Sequence, residues 1–352
     1  MQILVLDIAA SEGGAMSVLK NFYNYVREHG GEHNWTFFLS DRHVEETENI
    51  RVRCFPEVKA SHLRKLLFDF GYGRELVRAE NPDVVLSLQN TVVWGVKVPQ
   101  VDYIHQALPF QREKKFSFLK REERDIAVRQ HLIGAVIKQS ARRAERVVVQ
   151  TEWMKDAVCA SVGKDRELVT VIYPPYEREG GGMSQDWSST EFFYPTGDYI
   201  YKNVGCIVQA RALLPEGLRE KCRVEVTLPA GQHEELDCIG SISHGAVLKK
   251  LGGGTLIFPS YIETVGLPLI EARAMKTMIL AADCPYAREI LEGYENVVFF
   301  DPFRPEQLAE RMKEVMTGAL QRKEPDRTGV RPRCMCGTWR ELLELLGEAA
   351  PG

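Results

Sequence analysis

Short apolar runs alternate with segments of helical periodicity along this chain, and the alternation is played out twice. Residues 2–8 (QILVLDI), 34–39 (NWTFFL), 83–88 (DVVLSL), 100–104 (QVDYI) and 146–150 (RVVVQ) read as buried strands. Helical patterns over 15–29, 61–80, 121–143 and 152–162 lie between them. Such alternation predicts a parallel sheet covered by helices on both faces. Asn81-Pro82-Asp83 stops a helix before a strand, because the residue before proline avoids the α region. This first α/β domain is expected over 1–172.

From Tyr173 to Glu191 the periodicity lapses into YPPYEREGGGMSQDWSSTE, whose prolines, glycines and polar cluster predict a linker over 173–190. The alternation then resumes. Strands are expected at 190–194, 223–228, 255–258, 278–282 and 296–300, with helices near 202–214, 243–251, 268–275, 285–292 and 304–317. This predicts a second α/β domain over 191–330, then a tail over 331–352. The tail's Pro/Arg/Cys-rich segment, 325–336, leads into an amphipathic helix carrying Leu342, Leu343, Leu345 and Leu346. Two successive α/β domains predict two Rossmann-like units facing each other across a cleft, the usual ligand site of such an architecture.

A chain of 352 residues suits two domains, and a formal net charge of −4 gives no global attraction to nucleic acid. No apolar run approaches the roughly 20 residues of a membrane span. MQILVLDIAA has no basic n-region and reads as a first strand, so a cytoplasmic location with reduced cysteines is expected. Of eight cysteines only Cys334 and Cys336 are close, and no spacing suggests a metal site. No cofactor is expected.

The most informative string runs from Thr255 to Ala272, TLIFPSYIETVGLPLIEA. A strand ends at Pro259-Ser260, a short loop follows, and Pro268 is placed to open a helix with Glu271 in its first turn. Free N–H groups at such a helix start favour an anion. Here the N–H groups of Val265, Gly266 and Leu267 are expected to serve phosphate or sugar oxygens. Glu263, Thr264 and Glu271 stand around them.

This string resembles the E-x7-E motif of the family-4 retaining glycosyltransferases, which have the GT-B fold, together with its PS..E..GLP..EA frame. The resemblance implies that Glu263 contacts sugar hydroxyls and Glu271 the nucleotide ribose. Val265 stands where the family more often has an aromatic. Residues 238–250 (CIGSISHGAVLKK) resemble the segment that borders the nucleobase, with Ile239, Gly240, Ile242 and Leu248 as wall residues. Pro229-Ala230-Gly231 and the run 278–285 (MILAADCP) also fall in the family's order.

Lys202, in FYPTGDYIYKN, is expected to neutralise a leaving diphosphate as a point charge. The family's arginine a few residues earlier is missing, since Pro195, Thr196 and Gly197 occupy those positions. Ser11-Glu12-Gly13-Gly14-Ala15 follows the first strand where the family has a glycine loop. It matches neither a dinucleotide nor a Walker spacing. His105, after a strand in DYIHQALPF, stands where the family keeps a histidine lining the sugar pocket.

Arg112 to Arg146 carries eleven Lys/Arg against five Asp/Glu, with Phe116, Phe118 and Leu119 interleaved. It reads either as a solvated face or as a patch that meets an anionic membrane surface, which would make the enzyme peripheral at the membrane's inner face. The resemblance implies metal-independent transfer, with retention, from a nucleotide-diphosphate sugar to a hydroxyl of a glycan or lipid-linked acceptor. A catalytically silent sugar-nucleotide-binding protein and a GT-B-fold epimerase are the alternatives.

Overall fold

The computed structural model describes residues 1–10, 13–175, 187–323 and 333–350. Ser11 and Glu12, most of the expected linker, and most of the Pro/Arg/Cys-rich segment lie outside the described residues. The chain divides into two compact units, Met1–Pro175 with Met335–Gly352, and Tyr176–Cys334.

The first unit is built on seven parallel strands: β1 (Gln2–Asp7), β2 (Asn34–Leu39), β3 (Ile50–Cys54), β4 (Val84–Ser87), β5 (Gln100–Ile104), β6 (Arg146–Val149) and β7 (Val169–Val171). Their order is β3-β2-β1-β4-β5-β6-β7. The central strands are apolar on both faces because both faces are covered. Ile3 and Val5 of β1 join one core with Phe22, Trp35 and Tyr103. Leu4 and Leu6 join another with Phe55, Phe68 and Val77. The sequence pattern misses β3 and β7, the two edge strands. In β3, IRVRC alternates buried apolar residues with arginines, so it lacks the two-faced run of a central strand.

Helix α1 (Gly13–His29) follows β1, α2 (Gly134–Arg143) precedes β6, and α3 (Glu152–Val162) links β6 toward β7. The helices expected over 61–80 and 121–143 are each broken by a π turn, at Phe68–Tyr72 and Val128–Ile133. In the first, Gly71 leaves helical geometry, with φ −121° and ψ −106°.

The second unit has six parallel strands: β8 (Glu191–Tyr194), β9 (Arg223–Val226), β10 (Asp237–Cys238), β11 (Thr255–Phe258), β12 (Met278–Ala282) and β13 (Val297–Phe300). Their order is β10-β9-β8-β11-β12-β13. At two residues, β10 is too short to leave a periodic signal. Helices α4 (Val204–Ala212), α5 (His244–Gly253), α6 (Leu267–Ala274), α7 (Pro285–Ile290) and α8 (Pro305–Met316) complete the alternation.

Strand order reverses between β8 and β11, which pair side by side. Loops leaving the carboxyl ends of two such strands diverge, and ligands bind in the resulting crevice. The corresponding reversal in the first unit lies between β1 and β4.

The last helix, α9 (Trp339–Ala349), returns to the first unit. Thr338 caps it by accepting from the Arg340 N–H, and Trp339, Leu342, Leu345 and Leu346 enter the first core. The Trp339 indole meets Phe22 edge-on at 5.4 Å. The apolar stripe of the tail is therefore core of the N-terminal unit.

Candidate active site

In the second unit the two loops at the strand-order reversal are tied together. After β8 the chain makes a 3-10 turn, Ile200–Lys202, and Asn203 adopts the left-handed conformation at φ +59° before α4 begins. Asparagine tolerates that geometry. Its amide also donates to Pro302 O at 2.7 Å and Pro259 O at 3.3 Å, pinning the turn to two other loops. Tyr194 Oη donates to Lys202 O at 3.1 Å. Burial, with the Glu263 charge adding to it, pushes the Tyr194 phenol well above its ordinary range, so it remains a donor.

Held in this way, Lys202 Nζ donates to Glu263 Oε1 at 2.5 Å. Ser260 Oγ donates to the same oxygen at 2.8 Å, and Tyr286 Oη holds Ser260 O at 2.5 Å. The Lys202 and Glu263 side chains keep 20% and 15% exposure, enough to be reached by a ligand.

The loop then turns at Gly266, whose φ of +74° strains any residue with a side chain. An added Cβ would also lie 3.3 Å from both Phe258 and Tyr286. Because Gly266 serves as the cap, α6 starts at Leu267, one residue before Pro268. Glu271 is therefore its fifth residue and lies beyond the first turn, which corrects the sequence expectation. Val265 is buried, Thr264 is partly buried, and Leu267 is exposed. The Leu267 N–H begins the helix and has no intrahelical acceptor.

Glu271 Oε1 meets His244 Nε2 at 2.9 Å, across from the first residue of α5. Gly240 turns the chain between β10 and α5 at φ +72°, and its N–H is already given to Leu228 O at 2.8 Å. The structure thus joins Lys202 to Glu263 and Glu271 to His244. Sequence reasoning missed Ser260 and His244 as site residues. Both lay inside quoted strings: the partner of His244 is 27 residues away, and Ser260, three residues before Glu263, carries no periodicity that would turn its hydroxyl toward that carboxylate.

In the first unit, Gly13 and Gly14 open α1 beyond the carboxyl end of β1. A Cβ added at Gly14 would meet nothing within 4 Å. His105 follows β5, and its N–H donates to Asn90 Oδ1 at 2.8 Å. Desolvation pushes its imidazole down to about 4, against a hydrogen bond to the Leu88 backbone, so the ring is neutral near pH 7.

A buried cluster nearby was not foreseen. Lys65 Nζ binds both oxygens of Asp69, at 2.6 and 2.5 Å, and Thr91 Oγ1 at 2.8 Å. Asp102, in β5, is fully buried, and neither of its carboxyl oxygens has a partner among the described residues. Burial raises it to about 8, with the Lys65 charge opposing. Asp7, at the end of β1, is also raised well above the carboxylate range by burial.

The basic stretch needs a correction. Phe116 is buried, its N–H given to Gln130 Oε1 at 2.8 Å and its carbonyl 3.0 Å from His131 Nε2, so it offers nothing to a membrane. Lys114 pairs with the buried Glu123 at 3.0 Å. Phe118 and Leu119 are exposed, Leu119 at 90%. Among the described residues no helix is long and apolar enough to cross a membrane.

Comparison with known proteins accords with these two units. The family model described as Glycosyltransferase Family 4 matches residues 12–179, and the one described as Glycosyl transferases group 1 matches residues 207–330. The O-antigen chain mannosyltransferase of Salmonella typhimurium is 22% identical over 280 residues, covering 75% of each chain. HepE of Anabaena, solved with UDP-glucose, superposes at a TM-score of 0.65 with 16% identity, over 99% of this chain and 100% of that one. Sucrose-phosphate synthase of Thermosynechococcus elongatus superposes at 0.71 with 14% identity, over 99% and 97%. Matched in both halves, the chain belongs to the group 1 glycosyltransferases of family-4 type, with the GT-B fold.

Proposed function

We propose that this glycosyltransferase moves a sugar from a nucleotide-diphosphate donor to a hydroxyl of a glycan or lipid-linked acceptor, with retention and without a metal. The observation that carries this reading is the Lys202–Glu263 pair, shared with Ser260, at the strand-order reversal of the second unit. Beside it in sequence α6 begins, with Glu271 as its fifth residue. In this reading the bond from the anomeric carbon to the phosphate oxygen loosens first. Lys202 and the Leu267 N–H stabilise the charge growing on the diphosphate. The acceptor oxygen then bonds to that carbon from the same face and gives its proton to a phosphate oxygen. Glu263 orients the sugar, Glu271 anchors the ribose, and neutral His105 is a hydrogen-bonding wall residue. Thr264, Val265, Gly266 and Gly240 line the donor, and Gly13 and Gly14 contribute amides.

The O-antigen relative and the UDP-glucose complex of HepE support a nucleotide-sugar donor and a glycan acceptor. Incubation with UDP- and GDP-sugars and a lipid-linked glycan, in excess chelator, tests the reading. The product should keep the donor's anomeric configuration by NMR. An inverted product or loss of turnover in chelator would refute those parts.

We also place an anionic membrane contact at Phe118 and Leu119, beside Lys115, Lys120 and Arg121. Each basic residue near the surface contributes about 1 kcal/mol. Liposome co-sedimentation should require anionic lipid, weaken with salt, and fall when those three cations are neutralised. Equal recovery of wild type and variant in the supernatant removes the contact.

A further inference from the structure

We infer that His244 is a positioning residue for nucleotide binding, holding the Glu271 carboxylate in one orientation before the donor arrives. The inference rests on the proposed role of Glu271 as nucleotide anchor. Glu271 is one turn into α6 and His244 is the first residue of α5, so two separate helices meet at this bond. The imidazole Nε2 lies 2.9 Å from Oε1, within range for donation to a carboxylate. Ser243 caps α5 by accepting from the Ala246 N–H, which fixes the backbone that carries the ring.

The Glu271 side chain is 15% exposed and that of His244 is 56% exposed. The ring therefore stands more open to solvent than the carboxylate it holds. A glutamate at a helix surface samples several rotamers, and freezing them on ligand binding reduces affinity. With Oε1 held by His244, that ordering is complete in the free protein. Oε2 and the remaining lone pair of Oε1 are left to accept from hydroxyls. The role needs a side-chain N–H donor at position 244. An amide can replace it in part, and a methyl cannot.

Calorimetry on the full chain with UDP, GDP and ADP identifies the tightest diphosphate, which then serves as the probe. His244→Ala should weaken it about 5- to 10-fold, and His244→Gln should return to within about 2-fold of wild type. In turnover assays His244→Ala should raise the donor KM more than it lowers kcat. Glu271→Ala should weaken the probe more than His244→Ala does. Adding His244→Ala to Glu271→Ala should then cause no further loss, because the histidine acts through the carboxylate.

Additive losses, or an alanine variant with wild-type affinity, would overturn the inference. So would a glutamine variant as weak as the alanine one. If Glu271→Ala itself binds normally, the role of Glu271 fails and this inference fails with it. If Glu271→Ala is weak and His244→Ala is normal, only the inference fails. Binding of none of the three probes by wild type would sink both.

Discussion

Each unit holds a lysine against a carboxylate, at 2.5 Å in both cases, yet the two pairs are built for different ends. Lys65 and Asp69 lie four residues apart on one helical segment, with side chains 18% and 1% exposed. Thr91 donates to Asp69 at 3.0 Å, and the protonated Asp102 carboxyl is buried in the same cluster. Burial lowers the Lys65 ammonium and raises the Asp69 carboxyl, opposing the charged form of both. Lys202 and Glu263 come from loops 61 residues apart, at the carboxyl ends of adjacent strands, and Glu263 keeps 15% exposure. The two lysines are nearly equally accessible, at 18% and 20%, and the carboxylates differ: a ligand can reach Glu263, at 15%, whereas Asp69, at 1%, cannot be reached without opening the core. Distance alone does not separate a structural ion pair from a functional one. Accessibility and position on the sheet do.

The comparison is broken most directly by removing one lysine at a time. Lys65→Met leaves Asp69 buried without its cation and should destabilise the first unit by about 3–5 kcal/mol. Replacing both partners, Lys65→Met with Asp69→Leu, should recover most of that loss, because the cost lies in the orphaned charge. Denaturant titration reads both variants. Equal stability of Lys65→Met and wild type would mean that the pair is solvated and the contrast false.

Lys202→Ala should leave the denaturation midpoint close to wild type and lower kcat about 10²- to 10³-fold, the scale of one lost oxyanion-stabilising donor. If the lysine acts on the leaving diphosphate in the transition state, kcat falls more than the donor KM rises. A rise in KM at constant kcat makes it a ground-state binder. No change in either returns it to a structural role and erases the difference between the two pairs.

This contrast also marks where sequence reading stops. The central strands were legible because burial on both faces writes a continuous apolar run, as in QILVLD and MILAA. The edge strands β3 and β10 were not, since one is half exposed and the other is two residues long. Within the candidate site, Glu263 and Glu271 could be read from a motif that occupies one loop and the helix after it, and Lys202 from the separate string FYPTGDYIYKN. Ser260 and His244 became visible only when the fold joined segments 3 and 27 residues apart to those carboxylates. The buried cluster of Lys65, Asp69 and Asp102 was invisible for the same reason. Lys65 and Asp69 look like an ordinary surface i,i+4 pair, and Asp102 sits in a strand 33 residues further on.

The smallest expected effect concerns pH, and its sign follows from burial. Asp102 has a folded value near 8, against 3.8 for an ordinary aspartate. Between those values the folded chain holds a proton that the unfolded chain has released. Stability must therefore fall as pH rises through that window, by up to about 1.4 kcal/mol per pH unit for one proton. His105 works the other way. Its value is lowered from 6.5 to about 4, so the unfolded chain binds the extra proton and stability rises between those limits. The two slopes oppose each other below pH 6.5, leaving the Asp102 slope exposed from 6.5 to 8. Asp7, raised by burial as well, adds a slope of the same sign. Asp102→Asn keeps the neutral shape and removes one of these contributions, leaving those of Asp7 and of Asp69, which burial also raises. Wild type should thus lose thermal stability from pH 6.5 to 8, and the variant should lose less. A flat wild-type curve over that range would mean that Asp102 is already ionised in the fold. It would then have found a cation or water, and the buried cluster would be closer in kind to the Lys202 site than its burial implies.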